Sequence, residues 1–226
     1  MEFMLDTANL EEIKRYIEII QIAGVTTNPS IMKKEGNIDF FNHMKQIRAI
    51  IGFSRSLHVQ VVANDFEGIL KDARAILENI DSEVYIKIPV SKEGLKAIRV
   101  LKAEGIKVSA TTIYTTIQAQ LAIAAEVDYL IPYFNRMEDQ NINPVEVLTN
   151  VATEIERAKS TSKLLVASFK NLRQVNASSN ALAHAVTINV DVLNAAFAMT
   201  AIEKAVGDFT RDWEASFGKG KRIFNL

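Results

Sequence analysis

The chain has 226 residues, 48% of them hydrophobic, with 26 lysines and arginines against 27 aspartates and glutamates and a formal net charge of −1. That apolar fraction fills a core, and the interspersed, balanced charge leaves no field for nucleic acid or an anionic membrane surface. Having no cysteine, the chain lacks disulfides, thiolate nucleophiles and Cys-ligated metal, which suits a reducing compartment.

The N-terminus, MEFMLDTANLEE, has no basic region followed by an apolar core, so no secretory signal is read and a cytoplasmic location is expected. The first strand, expected over residues 3–6, runs into Asn9 and Glu12, an N-cap followed by an acidic residue at its third position. Leu10, Ile13, Ile17 and Ile20 then recur at helical spacing until Gly24. The same grammar repeats, with strands expected near 24–27, 57–61, 83–88, 106–111, 128–133, 163–168 and 186–190. The longest uncharged stretch, Val108 to Ala125, carries Ser109, Thr111, Thr112, Thr115 and Gln118 and is too polar to span a bilayer. Asn143, Pro144 and Glu146 open a helix whose buried stripe is expected to be Val147, Val151 and Ile155. Near the end, Phe209, Trp213 and Phe217 recur every four residues, giving an aromatic stripe on a closing helix and tail over residues 208–226. Most such stripes pack on their own domain.

Strands alternating with helices at this length favour parallel βα units, and eight of them close into a (β/α)8 TIM barrel with one additional C-terminal helix. An open, doubly wound sheet gives the same alternation but normally carries a glycine-rich first turn. No G-x-G-x-x-G follows the first strand, no P-loop occurs, and the FGKGK string has neither the spacing nor a preceding strand. Without a linker or a low-complexity tract, one domain over residues 1–226 is expected.

In such a barrel the chemistry collects where the strands end. The ends read Asp6, Thr27 with Asn28, Gln60, Lys87, Thr111, Tyr133 with Asn135 and Arg136, Ser168 with Lys170, and Asn189 with Asp191. Taken singly, Asp6, Asn28 and Asp191 also fit turn starts or helix caps. Lys87 is harder to set aside because the strand Val84-Tyr-Ile-Lys-Ile-Pro89 is of the kind buried on both faces. A lysine that snorkels or pairs with a carboxylate is the commoner case. Burial favours the neutral amine, the form that attacks a carbonyl to make a Schiff base. His43, His58 and His184 lie on different elements without metal-ligand spacing and read as structural.

Asp6 in LDTAN, Gly24-Val-Thr-Thr-Asn-Pro-Ser30, Val84-Tyr-Ile-Lys-Ile-Pro-Val90 with Glu93-Gly94, and Ala167-Ser-Phe-Lys170 together resemble the transaldolase family, in family order from the N-terminus to residue 170. The resemblance implies a class I aldol enzyme in which Lys87 forms an imine with a ketose sugar phosphate and no metal or organic cofactor takes part. It implies that Asp6 handles the hydroxyl next to the breaking bond and that Asn28 orients the substrate. Arg136, Ser168 and Lys170 match its phosphate-binding positions, although Lys170 stands where the larger transaldolases have arginine.

Two activities divide the family. Transaldolases proper usually carry Glu and Phe where this chain has Gln60 and Tyr133, whereas fructose-6-phosphate aldolases carry Gln and Tyr. By that resemblance Gln60, Thr111 and Tyr133 hold a proton-shuttling water, and the phenol lets the enamine be protonated and dihydroxyacetone leave. An aldolase acting on fructose 6-phosphate is therefore expected, with a transaldolase as the alternative. Outside aldol chemistry stand an isomerase with a carboxylate base and a non-catalytic sugar-phosphate sensor. Small family members form pentamers and decamers, so the closing helix is expected to join a homo-oligomer. Ala110, Phe134 and Asn189 depart from the family pattern and bear on pocket size.

Overall fold

The computed structural model describes residues 1–226. Eight strands, β1 (Glu2–Asp6), β2 (Gly24–Thr26), β3 (Ser56–Gln60), β4 (Tyr85–Pro89), β5 (Val108–Ile113), β6 (Tyr129–Pro132), β7 (Lys163–Val166) and β8 (Ala185–Ile188), pair in parallel and in sequence order. β8 returns to β1 through Met4 opposite Thr187, which closes the barrel. Each expected strand is present, displaced at its ends by no more than two residues.

Helices form the outer ring: α1 (Leu10–Ile19), α2 (Pro29–Lys34), α3 (Phe40–Ile51), α4 (Phe66–Asn79), α5 (Lys92–Ala103), α6 (Thr116–Ala124), α7 (Phe134–Glu138), α8 (Pro144–Arg157), α9 (Leu172–Asn180), α10 (Val190–Phe197) and α11 (Thr200–Phe217). Their starts follow from local chemistry. Asn9, Asn28, Asp39, Asp65, Ser91, Asn143, Asn171 and Asn189 each accept a backbone N–H of the first turn they precede. Val147, Val151 and Ile155 of α8 are buried, as their spacing requires.

Two apolar bodies result. The larger lies between strands and helices and includes Leu5, Val25, Val59, Ile86 and Ile88. The smaller fills the barrel itself with Met4, Tyr129, Ile131, Tyr133, Leu165, Ala167 and Ala185. Two glycines permit close approach. A Cβ on Gly24 would sit 2.6 Å from the Ser56 carbonyl oxygen, and one on Gly94 would sit 2.0 Å from that of Pro89, at the end of β4. Gly94 thus lets α5 fold back directly onto the lysine strand.

The closing helix differs from the sequence expectation. It begins at Thr200 rather than near Asp208, and the chain continues past it into a 3-10 turn, Ile223–Asn225. Ala201, Glu203, Lys204 and Ala205 favour helix and extend it towards the N-terminus through Gly207. No residue of α11 is buried; Phe209 and Phe217 stay exposed, so the stripe does not pack on its own barrel. With Val206, Trp213, Ile223 and Phe224 the exposed Phe209 lines an apolar groove of about 420 Å³. No helix is long and apolar enough to cross a membrane.

Candidate active site

Side chains alternate in and out along each strand, and the register stacks the inward ones in layers of four from alternate strands. Tyr85 and Tyr129 belong to the lowest layer, and Met4, His58, Ser109 and Leu165 to the next. Above them lie Thr26, Lys87, Ile131 and Thr187, then Asp6, Gln60, Thr111 and Ala167. Asn28, Tyr133 and Asn189 reach the mouth. Asp6, Gln60, Lys87 and Thr111, with Tyr133 above them, therefore converge on the C-terminal half of one interior, whereas Arg136, Lys170 and Asp191 are exposed outside it.

Lys87 is 1% exposed, and the one hydrogen bond its Nζ makes runs to the Thr27 carbonyl oxygen at 3.3 Å. Asp6, one layer above, accepts from the Thr26 hydroxyl at 2.6 Å, and that hydroxyl also meets Thr187 at 2.6 Å. Burial pushes the Asp6 carboxyl above its ordinary range, while the Lys87 ammonium and the Thr26 hydrogen bond pull it back down. Asp6 caps no helix; Asn9 does that work for α1. A cavity of about 240 Å³ opens beside Asp6 at the mouth, where Thr7, Asn9, Glu12, Lys34 and Asn189 also line it.

Thr111 donates its hydroxyl proton to the Tyr133 phenol oxygen at 2.9 Å. A bulge in β5 between Thr111 and Ile113, with Thr112 in the left-handed region at φ 59°, sets the direction of this strand end. Gln60 sits in the same layer as Thr111, and its buried Oε1 accepts no hydrogen bond from the protein. A buried amide oxygen without a protein partner is an acceptor reserved for substrate or solvent.

Asn28 does cap a helix: its Oδ1 accepts the Ile31 N–H at 3.0 Å. That bond fixes the side chain one residue beyond the carbonyl that holds Lys87. The ends of β6 and β7 are sewn together, with Phe134 N–H on the Ala167 carbonyl and Asn135 N–H on the Ser168 carbonyl, both at 2.9 Å. Ser168 adopts φ 66°. Helix α7, which carries Arg136, and the loop carrying Ser168 and Lys170 are therefore neighbours. Arg136 stacks its guanidinium 4.9 Å from the Tyr133 ring centroid, and neither Arg136 nor Lys170 forms a salt bridge. Two exposed, unpaired cations beside a hydroxyl suit an anion. Asn189 caps α10, with Asp191 in its first turn.

Below Lys87, His58 is fully buried, with its Nδ1 2.8 Å from the Ser109 hydroxyl and its Nε2 2.9 Å from the Ser56 hydroxyl. It stacks on Tyr85 with 4.7 Å between ring centroids. Burial, together with the Lys87 and Arg48 charges, pushes its imidazole down to about 3, so the floor beneath Lys87 is neutral. Spacing alone, His58 two residues before Gln60, signals that both face inward. His43 and His184 are ordinary structural histidines, bonded to the Ala8 carbonyl oxygen and the Leu164 N–H. Gln174, 1% exposed on α9, lies behind the β7–α9 loop and bonds to Lys170 N–H and to Asn135 and Glu138 of α7, and its spacing from Ser168 carried no signal.

The family model described as transaldolase/fructose-6-phosphate aldolase matches residues 3–223. The chain is 54% identical over 213 residues to a protein of Streptococcus pneumoniae named probable fructose-6-phosphate aldolase, a match covering 94% of this chain and 96% of the other. It is 36% identical over 219 residues to a probable transaldolase of Methanococcus maripaludis, covering 97% of this chain and 100% of that protein.

Proposed function

Because the chain belongs to the transaldolase/fructose-6-phosphate aldolase family, we propose that it is a class I aldolase cleaving fructose 6-phosphate to dihydroxyacetone and glyceraldehyde 3-phosphate. Burial of Lys87 at the centre of a polar interior, with Asp6 in the layer above, is the observation that carries this reading. The Lys87 amine attacks the ketone at C2, and loss of water leaves a protonated imine. The Asp6 carboxylate takes the C4 hydroxyl proton; the C3–C4 bond breaks, its electron pair enters the imine as an enamine, and the aldehyde leaves. Protonation of the enamine at C3 and hydrolysis then release dihydroxyacetone and free Lys87.

Gln60, Thr111 and Tyr133 supply the polar wall for that protonation, with the unpartnered Gln60 Oε1 and the Tyr133 phenol positioned to hold water. Asn28 orients the bound ketose beside Lys87. Arg136, Ser168 and Lys170 take the phosphate, and an ammonium at residue 170 keeps the charge without a bidentate fork. If protonation is slow, the same enamine passes to an aldehyde acceptor and the enzyme is a transaldolase, the second reading. Purified protein releasing glyceraldehyde 3-phosphate from fructose 6-phosphate without an acceptor supports the aldolase; release only with erythrose 4-phosphate present establishes the transferase.

The enzyme works as a homo-oligomer, a pentamer or decamer. Support comes from α11, whose apolar face and groove leave Phe209, Ile223 and Phe224 exposed.

A further inference from the structure

Gln174 uses its whole side-chain amide inside the protein. Its Oε1 accepts the Lys170 backbone N–H at 2.7 Å, and its Nε2 donates to Asn135 Oδ1 at 2.9 Å and to a Glu138 carboxylate oxygen. Its own N–H is held by the Asn171 cap at 3.1 Å. Asn135 precedes Arg136, and its N–H rests on the Ser168 carbonyl. One planar group on α9 thus joins α7, which bears Arg136, to the loop bearing Ser168 and Lys170.

We propose that Gln174 is a positioning residue for the phosphoryl group, setting the separation of α7 from the β7–α9 loop so that Arg136, Ser168 and Lys170 address the same anion. This inference rests on the phosphate clamp assigned above. The amide cannot flip without turning its oxygen onto Glu138 and its nitrogen onto the Lys170 N–H, so its orientation is fixed. Arg173 meets the other oxygen of Glu138 at 3.0 Å, which engages that carboxylate away from Arg136. A buried amide satisfied at both ends in this way holds one geometry, and small misplacements of a binding group are costly.

The test uses Gln174→Met, which keeps the length and loses the hydrogen bonds, and Gln174→Glu, which loses the donor. Addition of dihydroxyacetone to glyceraldehyde 3-phosphate is compared with addition to unphosphorylated glyceraldehyde. KM for the phosphorylated aldehyde is expected to rise about tenfold or more, while KM and kcat for glyceraldehyde stay within about twofold. Equal losses on both aldehydes, an unchanged preference, or failure of both variants to fold by thermal unfolding would overturn the proposal, since each describes a purely structural residue. Arg136→Ala is measured alongside. If it leaves the preference between the aldehydes intact, the clamp itself is misassigned; if it abolishes the preference while the Gln174 variants keep it, only the positioning role fails.

Discussion

Thr111 and Tyr133 meet through a 2.9 Å hydrogen bond across neighbouring strand ends, and the phenol proton is thereby left free to serve a third group. Removing the phenol tests its part in enamine protonation. Tyr133→Phe is expected to lower acceptor-independent cleavage of fructose 6-phosphate about 10²-fold, in the range of a lost general acid, while transfer to erythrose 4-phosphate persists. Coupled assays with and without the acceptor give the comparison, and equal loss in both would assign the phenol to binding.

Asp6→Asn keeps an acceptor for Thr26 but cannot take a proton from the substrate. Its kcat should fall by about 10²- to 10⁴-fold with a small change in KM. A normal turnover number would move the base elsewhere.

The imidazole of His58, held near 3 against an ordinary 6.5, predicts acid sensitivity. The unfolded chain binds this proton below 6.5 while the native protein refuses it until about 3, so stability rises with pH across that window. The slope from this group approaches about 1.4 kcal/mol per pH unit. Asp6 opposes it: its raised carboxyl binds a proton more tightly in the folded state, which favours folding below the ordinary carboxylate range and loses that advantage as pH rises. Urea midpoints of wild type and His58→Gln between pH 4 and 7 separate the two, and the variant should show the flatter or reversed dependence. Parallel curves would contradict it.

How much of this was legible beforehand depends on period. The strands announced themselves through β-branched runs, and alternation from Lys87 outward located the interior. His58 shares that alternation with Gln60 and reads as structural, which its burial fits; Ser56 is its neighbour two residues back on β3, and only Ser109 comes from register. Gln174 was invisible as a bridge because Asn135 and Glu138 lie on α7, far away in sequence, and only Lys170 is local. The start of α11 lies earlier than the aromatic stripe indicates because the stripe marks only its last turns, and the fate of that stripe depends on surroundings that no local pattern encodes.

Gly94→Ala should be costly despite its small size, because the added methyl meets the Pro89 carbonyl oxygen at 2.0 Å. A loss of about 1–3 kcal/mol in denaturant unfolding is expected from such overpacking, together with reduced turnover as β4 shifts. Unchanged stability would show that α5 moves freely away from the lysine strand.

Phe209→Asp and Phe224→Asp place charges on the apolar face of α11 and the turn beyond it. Sedimentation velocity should show the assembly falling to smaller species, with far-UV circular dichroism preserved. An unaltered sedimentation coefficient in both variants would remove α11 from the interface.

The imine at Lys87 is the central claim, and trapping tests it most directly. Borohydride reduction in the presence of dihydroxyacetone or fructose 6-phosphate, followed by peptide mass spectrometry, should yield a single reduced adduct on the peptide carrying Lys87, and Lys87→Met should show neither adduct nor cleavage. Turnover by a protein that leaves Lys87 unmodified, or an adduct on another lysine, would contradict the account.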